Sequence, residues 1–287
     1  MSVAESGSSA LDFPGRGIRR REAFLWATVC LLANQAVQLM DTSSLSAFVV
    51  SFANQNLIYW IACYAAIYRL HVSDQAALPS RADRWLLVAV CVAIIPASIL
   101  PYRFATGILA SATAGYFIFA GGTDRNVRAA GIVLLALSTQ LVWGPIFFQL
   151  FMPELLSADG YLVGEILTSV RPDIAWRETT FTGPDGHAIV LVGGCSSFNN
   201  LSSALLAVVA ITMLARTEWE RRDAGVIASV VVIMVLLNTL RICLLAWSAA
   251  SYAYWHNGPG VVVFGLGQTL LVLLLAWYGA QLSRRPA

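Results

Sequence analysis

Three side chains of this 287-residue chain have the chemistry to break an acyl bond and remake it: Cys195, Arg241 and His256. Cys195 stands in Val192-Gly193-Gly194-Cys195-Ser196-Ser197-Phe198-Asn199-Asn200. As a thiolate it would attack a carbonyl carbon. The glycines before it open backbone dihedrals closed to other residues and permit close approach by another chain. A helix beginning at Ser196 or Ser197 places Cys195 at its N-terminus, where unpaired amides and the helix dipole lower a thiol pKa. The same amides could receive a developing oxyanion. Alone, the stretch reads more simply as a glycine turn followed by a small cap.

Arg241, in Asn238-Thr239-Leu240-Arg241-Ile242, interrupts a long apolar run. A charge inside a membrane helix costs roughly 3 kcal/mol on insertion scales and is a functional candidate by default. Asn238, three positions earlier, shares its helical face. The plainer alternative is a structural arginine bonding helix-end carbonyls. Cys243 points nearly opposite to Arg241 and reads as packing. His256, in Tyr254-Trp255-His256-Asn257-Gly258-Pro259-Gly260, can exchange a proton near neutral pH. A lone loop histidine is more often just solvated. The other two histidines are His71 and His187.

The elements that would position these three side chains read as a membrane bundle. The chain is 58% hydrophobic and 12% charged, about half the charged fraction of a soluble domain. Apolar blocks run at roughly 23–40, 45–68, 85–100, 104–120, 129–151, 197–215, 224–250 and 260–281, each near the length that crosses about 30 Å of hydrocarbon. This pattern predicts an all-α polytopic membrane protein: a bundle of about eight transmembrane helices with one longer outer loop at about 152–194. Residues 1–22 read as a cytoplasmic N-terminal tail and 23–283 as one transmembrane domain. Pro96 and Pro101 interrupt the blocks at 85–100 and 104–120, which form two tilted spans or a re-entrant hairpin. The basic start at 16–21 resembles a secretory signal, but no small-x-small cleavage site follows. It reads as the flank of an uncleaved first span.

Charge sets the orientation. With the N-terminus in the cytoplasm, inside segments carry fourteen of the eighteen basic residues, all of them Arg. Only Arg103, Arg171, Arg177 and Arg241 fall outside or in the outer half of a helix. The positive-inside rule therefore places both termini in the cytoplasm. Arg241 then lies in the outer half of its span, about eight residues or 12 Å from the end at 1.5 Å per residue. Cys195 and His256 lie at the outer ends of theirs. Within the outer segment, 179–182 and 188–192 have strand-like composition around Gly183-Pro184-Asp185-Gly186, which predicts a small hairpin over the outer face.

Composition also excludes several functions. Without Lys there is no Schiff-base or P-loop lysine, and a net charge of +2 gives no reason to expect a nucleic-acid partner. Cys30, Cys63 and Cys91 sit in apolar blocks as small hydrophobes. No C-x-x-C pair, H-E-x-x-H motif or G-x-S-x-G elbow occurs, so no metal and no cofactor is expected.

A cysteine, an arginine and a histidine from three successive spans at one depth make the set for thiol acyl transfer: nucleophile, oxyanion stabiliser and general acid/base. In Gly194-Cys195-Ser196-Ser197, in Asn238-Thr239-Leu240-Arg241-Ile242, and in His256 with Gly258 and Gly260 ahead of Phe264, the chain resembles the exosortase/archaeosortase family. A histidine rather than a second arginine is similar to the bacterial exosortase branch. The resemblance implies a membrane cysteine protease or transpeptidase that cleaves the C-terminal sorting signals of exported proteins through a Cys195 thioester. Its partners would be exported proteins ending in a short motif, a transmembrane helix and a basic cluster, within the lipid of the cell (inner) membrane. Ser196, Asn199, Asn200 and Asn238 would support the site or touch substrate. The rival reading is a transporter or a membrane subunit for polysaccharide export, with Arg241 binding an anionic substrate. Asn34, Gln35, Gln38, Asn54, Gln55 and Asn56 would then line a pathway, although they can equally join helices by hydrogen bonds.

Overall fold

The computed structural model describes residues 18–39, 57–75, 77–99, 103–120 and 124–282, without the side chains of 38–39, 96–99, 103 and 199. The expected tail up to residue 17, Asn54, Gln55, Asn56, Pro101 and the arginines at 284–285 lie outside these residues, as do the side chains of Gln38 and Asn199. The α-helices are α1 (Arg20–Leu39), α2 (Leu57–His71), α3 (Arg81–Ile99), α4 (Arg103–Ala120), α5 (Arg125–Leu150), α6 (Met152–Val170), α7 (Ser197–Ala215), α8 (Arg221–Ala246), α9 (Ala249–Tyr252) and α10 (Gly260–Leu282). The interrupted blocks at 85–100 and 104–120 are two separate helices, of 19 and 18 residues. Helix α1 begins three residues inside the expected tail.

Among the described residues, three helices are long and apolar enough to cross a membrane: α5, α8 and α10. Two shorter apolar helices cover Phe104–Ala120 and Asn200–Ala215. The chain is thus a helical membrane protein. Leu266, Leu270, Leu274 and Trp277 leave one stripe of α10 exposed at helical spacing, as a lipid-facing surface requires.

Acids start several helices at the arginine-rich end. Asp124 accepts from the amides of Asn126 (2.8 Å) and Val127 (3.4 Å) to cap α5. Reciprocal caps join Ser80 to Asp83 ahead of α3 and Glu220 to Asp223 at α8. Arg20 of α1 bonds Asp83 through Nε (2.8 Å) and Nη2 (3.2 Å), and also reaches the carbonyl of Ala120 (3.0 Å). Buried Arg69 donates to the Met213 and Leu214 carbonyls and to Asn126 Oδ1, closing the C-terminus of α7. These contacts tie the helices together at one end of the bundle. A core of small, aliphatic and aromatic residues from α1, α2, α4, α5, α7, α8 and α10 fills the centre.

Helix α5 widens to a π-helical turn at Thr139–Trp143. Pro145 follows within two residues. It lacks an amide proton and its ring would meet the carbonyl four residues back, and the wider turn accommodates both defects.

The segment at 152–170, expected as part of an outer loop, is helix α6. Leu156, Asp159, Gly160, Val163, Gly164 and Leu167 recur at helical spacing, and that periodicity outweighs Pro153, which sits harmlessly in the first turn. The expected hairpin forms and gains a third strand. β1 (Ala175–Arg177), β2 (Thr180–Thr182) and β3 (Ala188–Val190) make an antiparallel sheet in that order. Trp176 pairs with Phe181, and Phe181 with Ile189. The sheet buries Phe181, Ile189 and Leu191 against Val163 and Leu167 of α6 and Ile242 and Leu245 of α8. Each such side chain stabilises the cap by roughly 1.5–3 kcal/mol. Close approach requires glycine on α6: a Cβ at Gly164 would sit 2.2 Å from the Trp176 ring, and one at Gly160 would sit 2.6 Å from the Glu178 carbonyl oxygen.

Candidate active site

The sheet, the start of α7 and the end of α8 meet at the pole opposite the arginine-rich loops. Leaving β3, the chain makes one 3-10 turn at Gly193–Cys195 and enters α7 at Ser197, with Ser196 as its N-cap. Neither Gly193 nor Gly194 adopts a left-handed conformation. A Cβ at Gly193 would press on Phe148 at 3.2 Å, whereas one at Gly194 meets nothing within 4 Å. The expected backbone freedom is therefore unused. The glycines provide room beside the thiol.

The expected free amides at this helix start are occupied. The Cys195 amide donates to the Val192 carbonyl (2.7 Å) and that of Ser196 to Gly193 (3.3 Å). The Ser197 amide donates to Asp159 Oδ2 (3.0 Å) and that of Phe198 to Ser196 Oγ (3.2 Å). A backbone oxyanion hole is thus closed at these four positions, and a developing negative charge would need another donor.

Asp159, on α6, is the hub of this arrangement, with 8% of its surface exposed. It also accepts from the hydroxyls of Ser196 (3.0 Å) and Ser197 (2.6 Å). Asn238 of α8, almost fully buried, donates to the Cys195 carbonyl (2.8 Å) and to Ser197 Oγ (3.1 Å). Asn200 donates to Asn238 Oδ1 (3.4 Å). One polar network therefore ties α6, α7 and α8 together directly behind Cys195. Sequence reading picked out Ser196, Asn200 and Asn238 but passed over Asp159, because it lay in a presumed loop.

Beside Cys195 opens a cavity of about 430 Å³, lined by residues 187–192, Cys195, Leu245, Tyr252 and His256. Cys195 and His256 thus share one space. His256 sits in a π-helical turn, Ala253–Asn257, rather than in an open loop. Its Nδ1 lies 3.0 Å from Asn257 Oδ1. That oxygen can only accept, so Nδ1 donates to it and Nε2 is the nitrogen left for proton exchange. The ring stacks on Tyr252 at 4.6 Å, and Tyr252 meets His187 edge to face at 5.5 Å. His187 was left in the outer loop by sequence reading. It lines the same cavity, and its Nε2 donates to the Leu245 carbonyl (3.1 Å) near the end of α8.

Arg241 is half-buried on α8, five residues before the helix ends at Ala246, which is closer to the pole than the sequence implied. At 3.6 residues per turn it lies about 60° round the helix from Asn238. It is not among the cavity-lining residues. Among the described residues it makes no hydrogen bond or ion pair, in contrast to Arg69, whose guanidinium is fully used on helix-end carbonyls. The structural alternative therefore describes Arg69, not Arg241. Asn34, a candidate pathway residue, bonds Thr106 across helices at 3.0 Å. Cys243 packs against the sheet-side cluster.

Comparison with known proteins gives one match. A family model described as transmembrane exosortase matches residues 24–273. Searches of curated proteins and of solved structures found no match.

Proposed function

The chain belongs to the transmembrane exosortase family, and from that membership we propose a membrane-embedded cysteine protease or transpeptidase that removes C-terminal sorting signals from exported proteins. The observation that carries the reading is the cavity shared by Cys195 and His256 at the pole away from the arginine-rich loops. In this reading the eight apolar blocks all cross the inner membrane, residues 1–22 and the C-terminus stay in the cytoplasm, and the site opens on the outer side. The substrate is an exported protein with a motif, a transmembrane helix and a basic end. Its helix lies in the bilayer and presents a membrane-edge peptide bond to the pole.

The chemistry runs in two halves. The Cys195 thiol passes its proton to His256, and the resulting thiolate adds to the scissile carbonyl carbon, forming a C–S bond and a tetrahedral oxyanion. With the neighbouring amides already committed, Arg241 is the free donor that answers this charge, after a side-chain swing toward the carbonyl. The C–N bond breaks as His256 gives a proton to the leaving amine. An amine acceptor, or water, then yields its proton to His256 and attacks the thioester. The C–S bond breaks and the sulfur recovers. Asp159, Ser196, Asn200 and Asn238 hold the nucleophile's backbone, and Asn199 stands one turn on.

Substitution of Cys195 by Ala tests the reading. Cells carrying Cys195→Ala should accumulate full-length precursors with their basic tails, while the enzyme inserts normally. A membrane-impermeant maleimide should label wild-type Cys195 in intact cells once the outer envelope is permeabilised. Normal processing by Cys195→Ala would exclude the thioester route. Labelling only after the inner membrane is broken would reverse the orientation.

A further inference from the structure

The cavity beside Cys195 runs along the free edge of a β-strand. In the sheet order, β3 is paired on one side only. The register tells which of its backbone groups face outward. Leu191 donates its amide to the Thr179 carbonyl (2.8 Å), and the His187 carbonyl accepts from the Gly183 amide (2.8 Å). Residues 187, 189 and 191 therefore turn their N–H and C=O groups toward β2. Ala188 and Val190, opposite Thr182 and Thr180, are the non-hydrogen-bonded pairs of this ladder. Their four backbone groups point away from the sheet, and among the described residues none has a partner.

Six successive residues, 187–192, line the cavity. A groove across one face of a strand would touch alternate residues only, because side chains alternate between faces. An unbroken run is the mark of a space along the backbone edge. Val190 and Val192 are more than half exposed there, while Ile189 and Leu191 are buried behind. The strand leads through a single turn to Cys195, which lines the same space. An exposed edge of this kind is a template for another extended chain, and proteins usually block it. Here a cavity within the usual ligand-pocket range of about 300–1,000 Å³ keeps it open.

We infer that β3 reads the substrate by strand addition: the recognition segment of the exported protein lies extended against Ala188 and Val190 as a fourth strand, and this pairing delivers its scissile carbonyl to Cys195. The inference rests on the acyl-transfer reading above. Main-chain bonds to Ala188 and Val190 supply affinity with little demand on sequence, and the side chains that alternate into the cavity supply selectivity. The segment must be unfolded to bind, which suits the short stretch between a folded domain and its membrane helix.

The test uses the precursor that accumulates in Cys195→Ala cells, purified with its tail intact. Val190→Pro deletes one outward amide and leaves the β2–β3 ladder whole, since edge strands tolerate proline with the nitrogen on the open side. Processing at low precursor concentration should slow by about tenfold or more, the scale of one or two lost backbone bonds, while Cys195 still reacts with maleimide at the wild-type rate. Independently, Val190→Cys in the Cys195→Ala background should form disulfides with single cysteines placed along the precursor's membrane-proximal segment. Directly paired strands bring Cβ atoms to about 4.5–5.5 Å, so cross-links should recur at every second position. If Cys195→Ala accumulates no precursor, the acyl-transfer reading fails and this inference with it. If precursors accumulate but Val190→Pro processes them at the wild-type rate, strand addition alone is overturned. Should the proline variant insert poorly, the cross-links decide: none, or a period of three to four, overturns it.

Discussion

Asp159 is the sharpest place to test how Cys195 is held. It accepts three hydrogen bonds, from the Ser196 hydroxyl and from both the amide and the hydroxyl of Ser197. Both serines are buried, at 1% and 6% exposure, so neither can turn to water for a substitute. Asp159→Ala strands the Ser197 amide outright, at about 1–3 kcal/mol for a buried unsatisfied donor, and strands at least one hydroxyl at a similar cost. The expected loss is about 2–6 kcal/mol. Asp159→Asn is a different perturbation. Its amide oxygen can stay on the Ser197 amide and Ser196 hydroxyl, and its NH₂ can donate to Ser197 Oγ if that hydroxyl reverses. Only the charge contribution is lost, about 1 kcal/mol. Denaturant or thermal unfolding in detergent measures both variants, with maleimide labelling of Cys195 as a local readout. Alanine should be clearly worse than asparagine in stability and should loosen Cys195, raising its labelling rate. Equal stability of Asp159→Ala and wild type would refute the claim that this carboxylate anchors the site.

Other substitutions separate structure from chemistry. Arg241→Lys should leave unfolding within about 0.5 kcal/mol of wild type but cut precursor processing severely in a pulse-chase assay, because a point ammonium cannot reproduce planar paired donors. Arg69→Lys should do the reverse: a loss of about 1–3 kcal/mol in unfolding from carbonyls left unpaired at the end of α7, with processing by the folded fraction unchanged. Gly164→Ala should destabilise the cap by about 1–3 kcal/mol through overpacking against the Trp176 ring, whereas Gly194→Ala, with open space at its Cβ, should leave unfolding unchanged and act only on Cys195 labelling.

Much of the bundle was legible because a helix that crosses lipid must be long and apolar, and α5, α8 and α10 carry that pattern openly. The apolar blocks, the breaks between them and the hairpin around Gly183-Pro184-Asp185-Gly186 all follow from local composition. Helix α6 was not read, although Leu156, Val163 and Leu167 repeat at helical spacing, because Pro153 and its acids suggested a loop. Missing the helix hid Asp159, whose role depends on packing against α7. Cys195 and His256 were singled out from residue type and depth, and they line one cavity. What the sequence could not reveal was that the amides around Cys195 are already bonded, since their partners lie 38 residues away on another helix and in a turn's own carbonyls. His187 escaped notice for a similar reason: only the sheet register carries it from the hairpin to the end of α8.

The split of the cavity between α7's entrance and the turn ahead of α10 has a consequence for biosynthesis. Cys195 leaves the ribosome about sixty residues before His256, an interval of about 3–12 s at the usual rate of synthesis. Asp159, by contrast, precedes the cysteine. On the proposed mechanism, a nascent chain therefore holds Asp159 and the Cys195 thiol before it holds the imidazole that would carry the proton, and the thiol stays inert over that interval. In that mechanism reactivity would arrive only with the turn ahead of α10, so that completing the chain and acquiring activity would become one event.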